Sequence, residues 1–211
     1  MSASGHVILV HGLWMTELVM RPLAHQLERC GYQPVLFSYR SLRNTIHTNA
    51  QALAQTVRRT GAQRIHLVGH SLGGLVILQA LADDPELVNG RVVLLGTPVN
   101  GSVVARRLHG RKLSRWLVGR GAEDRLARGG AGWHGKQQIG TIAGTRPVGV
   151  GRVLGGLSGP NDGTVTVAET TLAGCRDTLL LPVTHMGLLL SRKVAAAVND
   201  FLRSGHFSIG G

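Results

Sequence analysis

The segment Gly69-His70-Ser71-Leu72-Gly73-Gly74 carries the strongest chemical signal in the chain. It fits the pattern G-x-S-x-G, follows the apolar run Ile65–Val68 and opens an apolar helical stretch. A serine at the tip of such a strand–turn–helix presents its hydroxyl as a nucleophile, and the glycines let strand and helix approach closely. The turn also places Ser71 at a helix N-terminus, which favours a developing negative charge. A glycine-rich turn with an ordinary serine helix cap is the alternative interpretation.

A serine nucleophile needs a base, and the chain offers ten histidines. Position favours His185, which follows the last apolar run, Thr178–Leu181, and precedes the last helical stretch. A residue there lies above the carboxyl edge of a parallel sheet, where Ser71 also projects. Three other histidines fit exposed positions without a role: His109, His134 and His206.

The acid that orients the base is predicted to be Asp162, in the turn Gly159–Gly163, 23 residues before His185. Taken alone, Asp162 also fits a turn former that caps its own backbone. The rival aspartates are Asp83, Asp84, Asp124, Asp177 and Asp200. All but Asp124 are placed at the other end of the sheet or inside the last helix, so Asp162 is preferred.

Acyl transfer also needs two backbone N–H groups aimed at the oxygen that becomes negative. Leu72, directly after the nucleophile, supplies one of them. The first apolar run ends in His11-Gly12-Leu13, and Gly12 lets the loop turn so that the N–H of Leu13 points inward. His11 and His70 are interpreted as packed, hydrogen-bonded residues beside the turn rather than as bases.

Six short apolar runs, separated by helical stretches, must position these residues. The runs are His6–Val10, Val35–Tyr39, Ile65–Val68, Val92–Leu95, Ile139–Ala143 and Thr178–Leu181. Several are apolar at consecutive positions, which is typical of strands buried on both faces of a parallel sheet. Helices are predicted over Leu18–Cys30, Asn44–Thr60, Leu72–Ala82 and Leu188–Arg203. The alternation predicts an α/β fold, a doubly wound, mostly parallel six-stranded sheet with helices on both faces.

The length of 211 residues suits one domain, expected over 1–211. A Gly/Arg-rich stretch at about 101–135 is predicted to form a short, cap-like excursion above the sheet, with weak helical periodicity around Ser102–Leu108 and Leu113–Val118. Cys30 and Cys175 can form a disulfide only if the fold brings them together. The preferred interpretation is that they are two separate, small apolar residues.

The charge is strongly basic, with 23 Lys and Arg against 11 Asp and Glu and a net charge of +12. Compositional bias, attraction to anionic lipid and nucleic-acid binding all fit such an excess. The chain lacks an RNA-binding signature, a zinc spacing or a basic heptad, so a nucleic-acid partner is not expected. Basic residues concentrate between Arg106 and Arg128, interleaved with apolar ones, and the hypothesis is that this segment contacts an anionic lipid surface.

The first residues lack the basic start and the long apolar stretch of a secretory signal. No apolar run is long enough to span a bilayer. The sequence therefore predicts a cytoplasmic protein.

The order Ser71, Asp162, His185 resembles that of the α/β-hydrolase superfamily. The resemblance is strongest at His11-Gly12, Gly69–Gly74, Asp162-Gly163 and His185. The chain is similar to a compact, nearly lidless bacterial esterase or lipase of that superfamily. It differs in lacking the usual first pair of strands and in having a minimal cap.

This resemblance implies a carboxylic ester hydrolase that acts on a small ester or a lipid through an acyl-enzyme, without metal or organic cofactor. In the implied roles Ser71 attacks, His185 takes its proton and Asp162 holds the imidazole in the right tautomer. An acyltransferase or a thioesterase would use the same residues. A ligand-binding protein without activity on the same fold is a third alternative, disfavoured because all three residues are present.

Overall fold

The computed structural model describes residues 5–103, 132–149 and 157–208. In these ranges the strands are β1 His6–Val10, β2 Gln33–Phe37, β3 Ile65–His70, β4 Val92–Leu95, β5 Ile139–Gly144 and β6 Asp177–Leu181. They form one sheet in the order β2-β1-β3-β4-β5-β6, and every neighbouring pair is parallel. The predicted α/β class, with a mostly parallel six-stranded sheet, is confirmed.

Helices cover both faces of the sheet. They are α1 Arg21–Arg29, α2 Ile46–Thr60, α3 Leu72–Asp83, α4 Val167–Thr170, α5 Gly187–Leu190 and α6 Arg192–Ser204, and a 3-10 turn, Glu17–Met20, precedes α1. Helices α1 and α6 pack together on one face, whereas α2 and α3 pack together on the other. The strand order reverses between β1 and β3, and ligands bind at such a switch point in open α/β sheets.

Strand β1 shows why the apolar runs do not alternate with polar residues. Val7 and Leu9 belong to the core that α1 and α6 cover. Ile8 and Val10 belong to the core that α2 and α3 cover. Both faces of the strand are therefore buried, and consecutive positions must all be apolar.

The predicted second strand, Val35–Tyr39, was wrong by two residues at each end. The ladder with β1 pairs His6 with Gln33 and Val10 with Phe37, so pairing stops where β1 ends. Tyr39 leaves the sheet, and its hydroxyl donates to the carbonyl of His11 at 2.7 Å.

The predicted last helix, Leu188–Arg203, is also interrupted. Ser191 has extended backbone angles, φ −76° and ψ 126°, and separates α5 from α6. At the other end of the chain the predicted helix Leu18–Cys30 is divided between the 3-10 turn and α1. Cys30 and Cys175 are free cysteines.

Most of the predicted excursion at 101–135 lies outside the described residues, which stop at 103 and resume at 132. The single-domain assignment therefore stays a prediction. In the ranges that are described, no helix is both long and apolar enough to cross a membrane.

Candidate active site

The turn between β3 and α3 holds Ser71 in a strained backbone conformation. Its φ is 53° and its ψ is −122°, and among the described residues only Trp14 is another non-glycine residue with positive φ. Such a conformation costs a side-chain-bearing residue about 1–3 kcal/mol, so the surroundings must enforce it. The Ser71 N–H donates to the carbonyl of Leu95 at 2.9 Å, which ties the turn to the end of β4.

The glycines of the turn are required by close approach of the backbone. A Cβ on Gly69 would lie 2.6 Å from the Cα of Gly74. A Cβ on Gly73 would lie 2.3 Å from the carbonyl oxygen of Val10. Both distances are too short for atoms that are not bonded to each other, so the pattern G-x-S-x-G reflects the tight packing of α3 against β3 and β1.

Asp162 and His185 are joined by a short hydrogen bond. The distance from His185 Nδ1 to Asp162 Oδ2 is 2.6 Å, and the backbone N–H of His185 donates to the Asp162 carbonyl at 2.9 Å. The other carboxylate oxygen accepts from the N–H groups of Thr164 and Val165 at 2.9 and 2.7 Å. An ionised carboxylate only accepts, so His185 donates through Nδ1 and its Nε2 is left as the acceptor.

The end of β4 brings this pair close to the serine turn. Gly96 has φ 55°, and a Cβ there would lie 3.1 Å from both Asp162 Oδ2 and His185 Nδ1. Gly96 directly follows Leu95, which binds the Ser71 N–H. Sequence reasoning missed Gly96, although a glycine directly after a buried strand was a usable signal. Within the described residues the Ser71 hydroxyl makes no hydrogen bond to His185.

His70 packs against His185 beneath the site. Their ring centroids lie 4.6 Å apart, and His70 Nε2 is 3.1 Å from the His185 carbonyl oxygen, to which it donates. Complete burial lowers the pKa of His70 well below its usual value, and the neighbouring His185 lowers it further. A neutral His70 can support the backbone of His185 without placing a second positive charge beside its ring.

The loop after β1 lies against the serine. A Cβ on Gly12 would lie 3.2 Å from the Cβ of Ser71, so the Gly12-Leu13 backbone passes directly over the turn. Leu72 is the first residue of α3, where the backbone N–H has no partner inside the helix. Both predicted oxyanion donors, Leu13 and Leu72, therefore belong to segments that border Ser71.

His11 anchors that loop from below. Its ring stacks on Tyr39 with centroids 4.2 Å apart, and its Nδ1 lies 2.8 Å from the Gly12 carbonyl oxygen. Burial lowers the pKa of His11. This arrangement gives His11 a packing position rather than one facing an open site.

The model of the alpha/beta hydrolase family matches residues 7–208, nearly the whole chain. The chain belongs to the α/β-hydrolase family. A triacylglycerol lipase from Pseudomonas fragi is 30% identical over 114 residues, which cover 48% of this chain and 37% of the lipase. This α/β hydrolase therefore spans well under half the length of that curated relative.

Solved structures share the fold at low sequence identity. The mature form of the Bacillus licheniformis lipase BlEst2 matches with a TM-score of 0.73 and 20% identity, over 95% of this chain and 91% of that one. A metagenomic carboxyl esterase, MGS0156, matches with a TM-score of 0.67 and 22% identity, over 88% of this chain and 65% of that one.

Most of the large exposed hydrophobic residues follow the carboxyl ends of strands. Seven large hydrophobic residues are exposed among those described, and six of them lie in connections that leave the carboxyl ends of strands. These six are Trp14, Leu18, Leu42, Val148, Met186 and Leu190. Exposed apolar groups concentrated at one edge mark a surface that meets apolar material.

Two further features are the basic segment and possible metal ligands. The basic segment between Arg106 and Arg128, on which contact with lipid was predicted, lies outside the described residues. In the part of the chain that is described, no group of three or more His, Cys, Asp or Glu side chains is arranged to hold a metal ion.

Proposed function

We propose that this protein is a carboxylic ester hydrolase in which Ser71, His185 and Asp162 act through an acyl-enzyme. One observation carries the proposal. A buried carboxylate holds a histidine by a 2.6 Å hydrogen bond, next to a serine whose backbone is strained at a strand–helix turn. That combination is what serine acyl transfer requires.

In the first half of the reaction Ser71 Oγ gives its proton to His185 Nε2 and attacks the ester carbonyl carbon. The carbonyl oxygen becomes an oxyanion, which accepts hydrogen bonds from the backbone N–H groups of Leu13 and Leu72. The C–O bond to the alcohol then breaks, and His185 Nε2 returns the proton to the leaving oxygen. Asp162 keeps accepting from Nδ1, so the imidazolium is stabilised while it exists.

In the second half water gives a proton to His185 Nε2 and attacks the acyl carbon. The bond from the acyl carbon to Ser71 Oγ then breaks, His185 returns the proton to Oγ, and the carboxylic acid leaves. The hydroxyl and the imidazole need to come within hydrogen-bond reach for both halves. Such contacts tighten when substrate binds.

The substrate is proposed to be an ester of low polarity, including lipid esters. The six exposed apolar side chains in segments that follow strand ends support this, because they leave apolar surface on the side of the sheet where Ser71 lies. The names of the similar proteins, a triacylglycerol lipase and a carboxyl esterase, point the same way. Contact with an anionic lipid surface is part of the proposal and is tested by comparing vesicles of zwitterionic and anionic lipid at two salt concentrations.

A fluorophosphonate probe tests the nucleophile directly. The wild-type protein is expected to be labelled, and Ser71→Ala to remain folded but unlabelled, with ester hydrolysis lower by several orders of magnitude. Ser191→Ala is the matched control, because Ser191 precedes α6, lies outside the β3–α3 turn and makes no side-chain capping hydrogen bond. Labelling of Ser71→Ala at the wild-type level would contradict the assignment. A chain-length series of nitrophenyl esters, with product analysis in added alcohol, then separates hydrolysis from acyl transfer.

A further inference from the structure

A groove of about 350 Å³ opens beside the candidate site. One wall is formed by Trp14 and Met15, in the loop that follows β1. The other wall is Tyr39 and the segment Arg40–Arg43, which follows β2. Because β1 and β2 are parallel neighbours, both walls stand at the carboxyl edge of the sheet.

The loop that forms one wall of the groove also borders Ser71. The position that a Cβ on Gly12 would take lies 3.2 Å from Ser71 Cβ and 3.4 Å from Met15 Sδ. A wall of the groove and the nucleophile therefore border the same glycine. Tyr39 is held in place because it stacks on His11 and donates to the His11 carbonyl. A substrate that reaches from Ser71 to the groove would pass along the Gly12 loop, which borders both.

The groove combines free positive charge with exposed apolar surface. Arg40 and Arg43 are exposed, and neither side chain has a hydrogen bond or an ion pair with another described residue. No acidic residue lines the groove within the described part of the chain. Trp14 is 51% exposed and Leu42 is 39% exposed. The positive φ of Trp14, 59°, holds that indole at the rim at a cost in backbone energy.

We propose that this groove binds a negatively charged group, carboxylate or phosphate, on the ester substrate. The inference rests on the proposed function and modifies its substrate class: the chain around the ester stays apolar, and a charged group is added at its far end. Guanidinium groups match the planar geometry of carboxylates and phosphates, and they are more weakly hydrated than ammonium groups. The two arginines hold the anion, while Trp14 and Leu42 contact the apolar chain that joins it to the ester. The neutral esters of the proposed class are then hydrolysed with a higher KM.

Two matched pairs of soluble esters test the groove. The first pair is 4-nitrophenyl hexanoate and 4-nitrophenyl hydrogen adipate, which differ by a carboxylate at the end of the acyl chain. The second is phenyl hexanoate and 3-carboxyphenyl hexanoate, which carries the charge on the alcohol side. In wild-type protein the charged member of at least one pair is expected to have the lower KM, and the advantage is expected to shrink as salt rises.

The double variant Arg40→Gln/Arg43→Gln is expected to raise KM for that charged ester by about tenfold, a loss of about 1.4 kcal/mol. Its kcat and the constants for the neutral partner are expected to change by less than about twofold, since a ground-state contact is removed. The matched control is Arg29→Gln/Arg59→Gln. It removes the same charge from exposed positions at the ends of α1 and α2, which lie at the amino edge of the sheet.

Binding to Ser71→Ala, measured by calorimetry with the charged esters, separates this proposal from the proposed function. Binding that weakens in the double variant, with no hydrolysis by wild type, overturns the proposed function and leaves the groove assignment standing. An unchanged ratio of charged to neutral KM and unchanged binding overturn the groove assignment. A loss confined to anionic vesicles also overturns it, because the arginines then serve adsorption to a surface rather than recognition of a molecule.

Discussion

Two grooves at opposite edges of the sheet differ in what their charged groups do. The groove at the amino edge has a volume of about 400 Å³, and the one beside Trp14 has about 350 Å³. In the larger groove Arg91 donates to the side chain of Gln138 and to the carbonyls of Leu202 and Arg203. Its guanidinium therefore ties the end of α6 to the start of the sheet.

Lys136, another cation of the amino-edge groove, forms an ion pair with Glu86. At the carboxyl edge Arg40 and Arg43 have no comparable partner among the described residues. The strained Ser71 and the exposed apolar side chains also lie at that edge. Arg64 also lines the larger groove, is exposed and makes no side-chain hydrogen bond or ion pair with another described residue, so unpaired charge is found at both edges. The edges differ because Arg91 and Lys136 join separate elements at the amino edge, whereas the strained Ser71 lies at the carboxyl edge.

The comparison shows that a strained backbone indicates the candidate site better than the volume of a groove does. The strained backbone at Ser71 lowers stability at the carboxyl edge, where function needs a reactive serine. The hydrogen bonds and the ion pair at the amino edge raise stability, because that edge only has to join elements. Changes at the two edges should therefore have opposite consequences for activity and for stability.

Among the variants at the carboxyl edge, Asp162→Asn is expected to have the largest effect on activity. Loss of the carboxylate removes the acceptor that fixes the His185 tautomer, so kcat for a nitrophenyl ester should fall by about 10⁴-fold, the loss that the corresponding change produces in a serine protease. Steady-state kinetics on folded protein measure the effect.

Asp177→Asn and Asp200→Asn are its controls and should stay within about twofold of wild type. Asp177 begins β6 at the amino edge, where its carboxylate accepts from the N–H of Phe207. If Asp177→Asn were as damaging as Asp162→Asn, the contrast between the edges would be wrong.

Low pH is expected to lower the free energy of unfolding through His11 and His70, which lie near the carboxyl edge. Burial lowers the pKa of both, so in the folded state they stay neutral below the ordinary histidine value of about 6.5, whereas the unfolded chain takes up protons there. The free energy of unfolding should therefore fall as pH drops below about 6.5. Each histidine contributes up to about 1.4 kcal/mol per pH unit.

Denaturant unfolding between about pH 7 and about pH 5 measures this slope. His70→Gln should make it shallower, because one site that protonates only in the unfolded chain is lost. His134→Gln, at an exposed position, should leave it unchanged. A slope that is the same in wild type and His70→Gln would show that His70 is not held neutral.

Ser71→Gly is expected to stabilise the protein while abolishing its activity. Glycine adopts the φ of 53° without the steric cost that serine has, and its greater freedom in the unfolded chain offsets part of that gain. We expect a net rise of about 1 kcal/mol in the free energy of unfolding, which is about 2–4 °C in Tm for a chain of this size.

The matched control is Ser191→Gly, at ordinary extended angles, which should lower stability by a few tenths of a kcal/mol. Thermal unfolding of the two variants gives the comparison. Equal losses in both would mean that the serine turn stores no strain.

The sequence alone determined the α/β class and all six strands to within about two residues at either end. It did so because strands buried on both faces must be apolar throughout. Gly69 is dictated by the nearby backbone of Gly74, whereas Gly73 is dictated by the backbone of Val10 in β1. Asp162 and His185 were also predicted from their positions after strands, since every parallel strand ends at the same edge.

Only the tertiary structure decided which separate segments meet. The register of β2 on β1 sent Tyr39 out of the sheet and onto His11, and that contact built one wall of the groove. The close approach of Gly96 to the Asp162–His185 pair joins three strand ends that are far apart in the chain. Such contacts depend on pairing and packing between residues that are distant in the chain, so local sequence patterns do not predict them.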